Sequence, residues 1–396
     1  MMCDIAQHRT SEREVSFSAG PLFYNPKSRI IRDLGVLSLA VLGQQRTSTG
    51  QPLRVLDAMA GSGVRSLRYA SEPNVGYVHA NERMEGDHPL SNNLAPLLED
   101  GTGKLSTVDA VDCYMQSKLS GERYDLVDCD AFGTGQPHTA EAWWAVAKGG
   151  LLYLCATDSC ATAGQNPHKV TSGFAAVAKY HPSCNEQGLR LLLGAAWREA
   201  AQRNLHAEPV FSFFDRPSSS FRVMLRLVKP KRPPAAAYDL LGHVARCTEC
   251  GELWPVPSDK LGHAPFLPLR KCIHEGGVDV AGPMWLGPMH DADFVRAMAV
   301  EAAHRGWEDA ESLLATLAHE AVAESEGAFL FYHLGEVQRR LAAHGLTQPP
   351  LTDLIGWLKA AGYSASTSHS ERKAVKTSAT LAQIVETVGK NMAPFA

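Results

Sequence analysis

The chain alternates short apolar runs, typical of buried strands, with segments whose apolar positions recur at helical spacing. The run LRVLD at 53–57 predicts a first strand, which a glycine-bearing turn and a helical pattern follow. Further strands are predicted at VGYVHANE, LSTVDA, YDLVDCD and the run at 149–158. An amphipathic helix from residue 188 and two β-rich runs, 210–215 and 220–228, complete the pattern. This order predicts an α/β fold, in which an antiparallel hairpin closes a Rossmann-like, mostly parallel sheet.

Four of the predicted strands lead into an acidic side chain: Asp57, Glu82, Asp109 and Asp130. Taken singly, each acid is better explained as a helix cap or a solvated loop residue. Ligands in open α/β sheets bind outside the carboxyl ends of the strands, where all four acids would lie. The four together therefore predict a ligand pocket at this edge of the sheet.

The turn after the first strand, AMAGSGVRS, has the character of a nucleotide-binding loop. Gly61 and Gly63 let the backbone approach a ligand closely, and the helix start at Arg65 offers free backbone N–H groups. A dinucleotide fingerprint needs a third glycine, and Ser66 stands in its place, so a nicotinamide site is disfavoured. A purely structural glycine turn is the alternative.

The second and third acids suit the two halves of an adenosine. Glu82 at a strand end can accept hydrogen bonds from both hydroxyls of a ribose. Asp109 can accept a hydrogen bond from an adenine amino group, and the small neighbour Ala110 leaves room for the ring.

The string DCDAFGTG pairs a carboxylate, Asp130, with an aromatic ring two residues later, Phe132. A carboxylate can accept a hydrogen bond from the exocyclic amine of a base while the ring stacks on the base. The string resembles the catalytic motif of amino-group methyltransferases, in which Asp or Asn is followed by Pro and an aromatic residue, but Ala131 replaces the proline. The alternative is that Asp130 caps a helix and Phe132 is core.

Six strings occur in an order that resembles the tRNA guanine-26 N2-dimethyltransferases, a family of class I S-adenosylmethionine-dependent enzymes. They are FYNPKSRIIRDL, DCDAFGTG, ATDSCATAG, NEQGLRLLLG, AGPMWLGPMHD and STSHSERKAVKT. The likeness covers nearly the whole chain. It implies a catalytic domain with the S-adenosylmethionine fold and a second domain that binds tRNA.

The resemblance also implies roles for individual residues. Asp130 would accept a hydrogen bond from the guanine amine, with Phe132 and Phe23 stacking on the two faces of the base. S-adenosylmethionine would be held by a larger set: Arg32, Gly61, Gly63, Arg65, Glu82, Asp109 and Ala110, with Asp57 supporting the first loop.

The implied activity is mono- and then dimethylation of N2 of guanine 26 in tRNA. One alternative is methylation of an amino group in another RNA or in a protein. Another is a tRNA-binding protein with weakened catalysis, since alanine at 131 fixes the loop less firmly than proline.

The Pro-rich segment KPKRPP predicts a boundary between a catalytic domain, 1–232, and a smaller α+β tRNA-binding domain, 233–396. Two basic stretches are candidates for phosphate contacts, although a solvated face explains such stretches as well. They are Arg216, Arg222, Arg226, Lys229, Lys231 and Arg232 in the first, and Arg372, Lys373 and Lys376 in the second.

Cys247 and Cys250 have the spacing of a zinc knuckle, and Cys272 follows. The family pattern would place a second Cys-x-x-Cys here, but the last position is Glu275. His274 or His263 could replace the missing ligand, which leaves open a zinc site or a set of ordinary thiols.

Composition sets the outer limits of these hypotheses. The 396 residues are 45% hydrophobic and 20% charged, which predicts a globular chain without a membrane span or a signal-type N-terminus. Nine cysteines without export signals indicate reduced thiols in the cytoplasm, with an organelle not excluded. The net charge of −4 shifts the expected phosphate contacts to local basic patches. No obligate protein partner is inferred.

Overall fold

The fold is taken from a computed structural model. It describes residues 9–19, 24–46, 50–83, 89–229, 239–261, 274 and 277–392. The predicted domain boundary near 232, and the predicted site residues Phe23 and Cys272, lie outside these ranges.

The chain as far as residue 228 forms a small hairpin and a large sheet with its helices. The strands are β1 (Arg9–Glu12), β2 (Val15–Ser18), β3 (Leu53–Asp57), β4 (Val75–Asn81), β5 (Gly103–Ser106), β6 (Tyr124–Cys129), β7 (Val146–Ala156), β8 (His206–Asp215) and β9 (Ser220–Val228). A 3-10 turn, Pro26–Ser28, precedes the first helix. The helices are α1 (Arg29–Gln45), α2 (Val64–Ala70), α3 (Pro89–Glu99), α4 (Ala110–Ser120), α5 (Gln136–Ala142), α6 (Ser159–Thr162), α7 (Pro167–Phe174) and α8 (Cys184–Gln202).

The remaining chain forms two small sheets and six helices within the described residues. The strands are β10 (Leu241–Cys247), β11 (Leu253–Pro257), β12 (Val278–Trp285), β13 (Tyr332–His333), β14 (Ala365–Ser366) and β15 (Ala374–Thr377). The helices are α9 (Ser258–Leu261), α10 (Ala292–His304), α11 (Glu308–Ser325), α12 (Leu334–Ala342), α13 (Leu351–Ala360) and α14 (Leu381–Met392).

The large sheet has seven strands in the order β5-β4-β3-β6-β7-β9-β8. The pairs from β5 to β7 are parallel, and β9 runs antiparallel to both β7 and β8. This arrangement confirms the predicted fold class, a Rossmann-like sheet with a closing hairpin. It brings the carboxyl ends of β3, β4, β5 and β6 to one edge, where the predicted pocket lies.

Helices cover both faces of the sheet, which explains why its central strands are apolar on both sides. On one face α8 packs through Leu189, Leu192 and Trp197. On the other face α1 packs on the sheet, and α10 and α11 pack beside it with Phe294 and Leu314 in the same core. Helices from beyond residue 232 thus complete the core of the first sheet, and the division into 1–232 and 233–396 stays a prediction.

The N-terminal hairpin of β1 and β2, absent from our sequence prediction, packs on α2 and α3. Its Glu12 is buried and binds Arg32 of α1 and Arg68 of α2. Alternation over only four residues per strand is too short to predict a hairpin reliably. Among the described helices, none combines the length and the apolar character needed to cross a bilayer.

The predicted role of Lys376 in phosphate binding is wrong. Its ammonium group is fully buried and pairs with Glu186, Glu320 and Glu324 from two packed helices. A charge run read from sequence assumes exposure, whereas tertiary packing here supplies three carboxylates to one lysine. Its neighbour Lys373 is exposed.

Candidate active site

A cavity of about 760 Å³ opens at the carboxyl edge of the parallel strands. Most of the predicted site residues line it. They are Arg32, Gly61, Glu82, Asp109, Ala110, Asp130 and Phe132. The strand topology therefore brings together side chains that are up to 100 residues apart in sequence.

The glycine turn and the end of β4 form one side of the cavity. Gly61 and Gly63 have positive φ angles of 54° and 81°, which a residue with a side chain adopts only with strain. The backbone N–H of Gly61 donates a hydrogen bond of 2.7 Å to Glu82 Oε2. Glu82 is therefore held at the cavity wall with its other oxygen available to a ligand.

Asp109 and Ala110 lie together at the start of α4, beside the end of β5. The Asp109 carboxylate caps the helix by accepting the N–H of Val111 at 2.9 Å, and it also lines the cavity. The helix-cap interpretation is thus confirmed, and the binding of adenine by Asp109 stays a prediction that its place at the cavity allows. Burial lowers the pKa of the nearby His138, which keeps this ring neutral at pH 7 although Asp109 opposes the shift.

Asp130 follows β6 and is bound on both oxygens by guanidinium groups. Arg65 reaches Oδ2 at 2.5 Å, and Arg222 of β9 reaches Oδ1 at 2.5 Å. Burial opposes ionisation, but the two positive charges outweigh it and hold the pKa of Asp130 well below its usual range. The Asp130 side chain keeps 25% of its surface exposed, so a permanently ionised carboxylate faces the cavity.

Phe132 stands at the mouth of the cavity with 74% of its surface exposed. Single exposed apolar side chains are common on protein surfaces, so this exposure rules out the alternative of a buried core residue and leaves stacking on a base as a prediction. Ala131 between the two is buried, which directs Asp130 and Phe132 outward on either side of it.

Three predicted cofactor residues have other partners in the structure. Arg32 lines the cavity while its Nε donates to Glu12 at 2.7 Å. Arg65 is buried against Asp130 and is not among the residues that line the cavity. Its partner in the structure is therefore Asp130, whereas the family resemblance implies the cofactor. Asp57 is fully buried and accepts the Ser66 hydroxyl at 2.7 Å, as a support for the first loop would.

The electrostatics of Asp57 differ from those of Asp130. Burial, together with the negative charge of Asp128, raises the pKa of Asp57 to about 7. Its Oδ1 atom has no hydrogen-bond partner within the described residues. The pKa values of two carboxylates one strand apart are therefore shifted in opposite directions, because guanidinium groups bind only Asp130 directly.

Several cavity residues were missed in the sequence. They are Asn25, Met59, Asn81, His138, Thr157 and Arg222. Thr157 directly follows β7 at the same edge, which strand counting alone could have found. Arg222 belongs to the first basic stretch, a candidate for phosphate contacts, but it is buried in the cavity wall and pairs with Asp130.

A second cluster joins Cys247, Cys250 and His274, whose ligand atoms lie within 4.8 Å of one another. Two thiols and an imidazole are donors that suit zinc, which normally takes four ligands in structural sites. The fourth predicted ligand, Cys272, and the alternative ligand His263 lie outside the described residues. The zinc site therefore stays a prediction, now with three of its donors close together.

Comparison with known proteins gives a consistent picture. A family model described as N2,N2-dimethylguanosine tRNA methyltransferase matches residues 5–389. A tRNA (guanine(26)-N(2))-dimethyltransferase from Natronomonas pharaonis is 33% identical over 370 residues, which covers 92% of each chain. A relative of the same name from Methanothermobacter thermautotrophicus is 28% identical over 375 residues, again 92% of each chain.

A solved structure shares the fold. The complex of Trm1 from Pyrococcus horikoshii with S-adenosyl-L-methionine has a TM-score of 0.77 and 24% identity, and the match covers 96% of this chain and 99% of that chain.

The sheet order and the acid-lined cavity at its carboxyl edge define a Rossmann-like methyltransferase. The match of the family model to nearly the whole chain is more specific. The chain belongs to the N2,N2-dimethylguanosine tRNA methyltransferase family, and it is accordingly a tRNA methyltransferase.

Proposed function

We propose that this enzyme transfers methyl groups from S-adenosylmethionine to the exocyclic N2 of guanine 26 in tRNA, first one and then a second. The observation that carries the proposal is the ionised, partly exposed Asp130 beside the exposed ring of Phe132 in one cavity. The two curated relatives named above carry this activity in their names.

The cavity fits an S-adenosyl group in size and in chemistry. Its volume of about 760 Å³ lies in the range of small-molecule sites. Glu82 would accept the ribose hydroxyls, Asp109 would accept the adenine amine, and Ala110 leaves room for the ring. Arg32 lines the same cavity, and a guanidinium group suits the carboxylate of the cofactor's methionine part.

Asp130 would accept a hydrogen bond from the guanine amine and orient its lone pair. When bound, S-adenosylmethionine supplies an electrophilic methyl carbon: the amine lone pair forms the N–C bond, the C–S bonding electrons stay on sulfur, and one amine proton is released. Phe132 would stack on one face of the base and Phe23 on the other, as the family resemblance implies. Alignment of this kind can contribute on the order of 7 to 11 kcal/mol to a two-substrate reaction.

The C-terminal part would bind the body of the tRNA. Its exposed cations include Arg372 and Lys373, in a segment that Arg216 bridges to the first sheet by a bond of 2.6 Å to the Ser370 carbonyl. Positive side chains at this junction would lie where phosphates approach the cavity. Because the proposed substrate is tRNA, we place the activity in the cytoplasm or in an organelle that translates.

The test is chromatography with mass spectrometry of nucleosides from unmodified tRNA incubated with enzyme and S-adenosylmethionine. We expect N2-methylguanosine followed by N2,N2-dimethylguanosine, with a tRNA carrying adenine at position 26 giving neither. Asp130→Ala should reduce the rate at least about 100-fold, and Asp293→Asn, an exposed acid on α10, should not change it. Unchanged product formation by Asp130→Ala would refute the role of this residue.

The alternative of a binding protein with weakened catalysis makes a different prediction. Such a protein would retain tRNA in a filter-binding assay without yielding a methylated nucleoside. Methylation of another RNA or of a protein would appear as labelled product from cell extract depleted of tRNA.

A further inference from the structure

The carboxylate of Asp130 lies between two arginines from different parts of the sheet. Arg65 comes from α2, which follows the first strand, and Arg222 comes from β9 in the closing hairpin. Each donates one Nη2 hydrogen bond of 2.5 Å, and each takes a different oxygen of Asp130. We call Arg65, Arg222 and Asp130 the guanidinium clamp.

The two arginines are almost inaccessible to solvent, at 4% and 3% exposure. Arg65 is held from behind by Asp128 at 3.0 Å, and Asp128 accepts the hydroxyl of Tyr69 at 2.5 Å. Arg222 has a simpler environment. Within the described residues its Nε and Nη1 atoms have no hydrogen-bond partner, and Asp130 is the carboxylate that it binds.

A buried ion pair is weak evidence for stabilisation, because desolvation of the charges cancels most of their attraction. An unsatisfied arginine beside a ligand cavity is therefore poorly explained as a stabilising element. Its effect on Asp130 is clearer: both oxygens are fixed in position, while a quarter of the side-chain surface still faces the cavity. A carboxylate oxygen that already accepts one hydrogen bond still has a lone pair that a substrate amine in the cavity can use.

We propose that Arg222 is a positioning residue for methyl transfer, which together with Arg65 fixes Asp130 as an ionised hydrogen-bond acceptor instead of a proton acceptor. The proposal rests on the function proposed above. An anion that two guanidinium groups bind is a poor base, so Asp130 orients the amine without taking its proton. The proton released as the N–C bond forms passes to solvent water at the open mouth of the cavity.

The charged and titratable groups around the clamp come from helix α2 and from strands β3, β6, β7 and β8. They are Asp57 of β3, Tyr69 of α2, Asp128 of β6, Tyr153 and Cys155 of β7, Asp215 of β8, and the two arginines themselves. Burial raises the pKa values of Tyr153 and Cys155, which keeps both neutral in the working pH range. The pKa of Asp57 is about 7. Its ionisation therefore affects the pH profiles of wild type and variant alike.

Arg222→Gln is the decisive variant, because glutamine keeps a hydrogen-bond donor and removes the charge. We expect kcat to fall about 10- to 100-fold, with the KM for S-adenosylmethionine changed less than about threefold. The acidic limb of the kcat–pH profile should move to higher pH, since Asp130 loses one of its two positive partners. Arg222→Lys, which restores the charge, should recover part of the rate and return the limb toward that of wild type.

A control variant removes a partly buried arginine from an ion pair with a buried glutamate. Arg305 makes two hydrogen bonds to Glu72, of 2.7 and 2.8 Å, away from the cavity. Arg305→Gln should lower thermal stability without moving the pH limb. Circular dichroism and binding of S-adenosylmethionine by calorimetry check that each variant folds.

The ¹³C shift of the Asp130 carboxyl group tests the clamp without turnover. It should show no protonation down to about pH 4 in wild type, and it should titrate at higher pH in Arg222→Gln. A folded Arg222→Gln with wild-type kcat, pH profile and carboxyl titration would overturn the proposal. If the wild-type enzyme forms no methylguanosine while the carboxyl group still titrates at higher pH in Arg222→Gln than in wild type, the proposed function is refuted and the clamp is retained.

Discussion

The backbone N–H of Gly61 donates a hydrogen bond of 2.7 Å to the Glu82 carboxylate, so the glycine turn after β3 is tied to the end of β4. One carboxylate thereby serves two purposes, since one oxygen fixes the loop and the other remains for a ligand. The two purposes can be separated by substitution.

Glu82→Gln keeps an oxygen acceptor for Gly61 and removes the negative charge. We expect the Kd for S-adenosylmethionine to rise about 10- to 100-fold, because a hydrogen bond to a charged group is lost, while kcat at saturating cofactor stays within about threefold. Calorimetry gives the affinity, with the exposed Glu99→Gln as the control. An unchanged Kd would show that this carboxylate does not contact the cofactor.

Ala131→Pro introduces the proline that the catalytic motif of amino-group methyltransferases has between the acid and the aromatic ring. A proline restricts the unfolded and open states of the loop, so we expect kcat to rise about two- to fivefold if position 131 accepts its φ angle. Steady-state kinetics at saturating tRNA measure the change. If neither turnover nor cofactor affinity improves, the alanine does not limit the enzyme.

Asp57 makes stability depend on pH. Its folded pKa of about 7 lies above the ordinary value of 3.8, so the folded state binds this proton more tightly than the unfolded state. The resulting stabilisation is complete below about pH 4 and is lost as pH rises through 7. Asn at this position cannot ionise, so the Tm of Asp57→Asn relative to wild type should increase by ~2 °C or more between pH 5 and pH 8. A constant difference across this range would contradict the raised pKa.

Lys376→Met should destabilise the protein strongly. The buried ammonium group pairs with Glu186, Glu320 and Glu324, and its removal leaves these carboxylates with less positive charge nearby. Loss of one partner from a buried ion pair costs about 3 to 5 kcal/mol, measured here by denaturant unfolding. The exposed neighbour Lys373→Met should change stability by less than about 0.5 kcal/mol. Equal effects of the two substitutions would mean that the lysine network is not formed.

The cluster of Cys247, Cys250 and His274 predicts bound zinc. We expect about one equivalent per chain in metal analysis of the purified protein, and loss of it in Cys250→Ser. Cys160→Ser, at an exposed thiol, is the matched control. Less than about a tenth of an equivalent in wild type would leave ordinary thiols as the explanation.

The succession of strands along the chain and the edge at which the cavity lies could be predicted from sequence because both follow from local patterns. The run 124–129 is mostly apolar, and a buried parallel strand of this kind delivers the next residue, Asp130, to the carboxyl edge. Glu82 and Asp109 lie at the same edge because they follow the parallel strands β4 and β5. To predict which residues lie at this edge, it was enough to locate the strands in the sequence and to know that they run parallel.

The charged residues inside the molecule could not be predicted in the same way. Arg222 lies in the sequence among basic residues, and nothing local distinguishes a buried arginine from an exposed one. Its environment is fixed by the pairing of β9 with β7 and by Asp130 across the sheet. Lys376 is a second example, because its three acidic partners lie from 52 to 190 residues away in sequence.

Helices α10 and α11 pack beside α1 on one face of the large sheet, although they follow the sheet by more than 60 residues. During synthesis the ribosome therefore finishes all seven strands well before Phe294 and Leu314, which belong to the same core as Phe211, have emerged. A nascent chain that stops at the Pro-rich segment KPKRPP would expose a large apolar surface to chaperones. We expect the N-terminal half expressed alone to aggregate, and a separately supplied C-terminal half to rescue it.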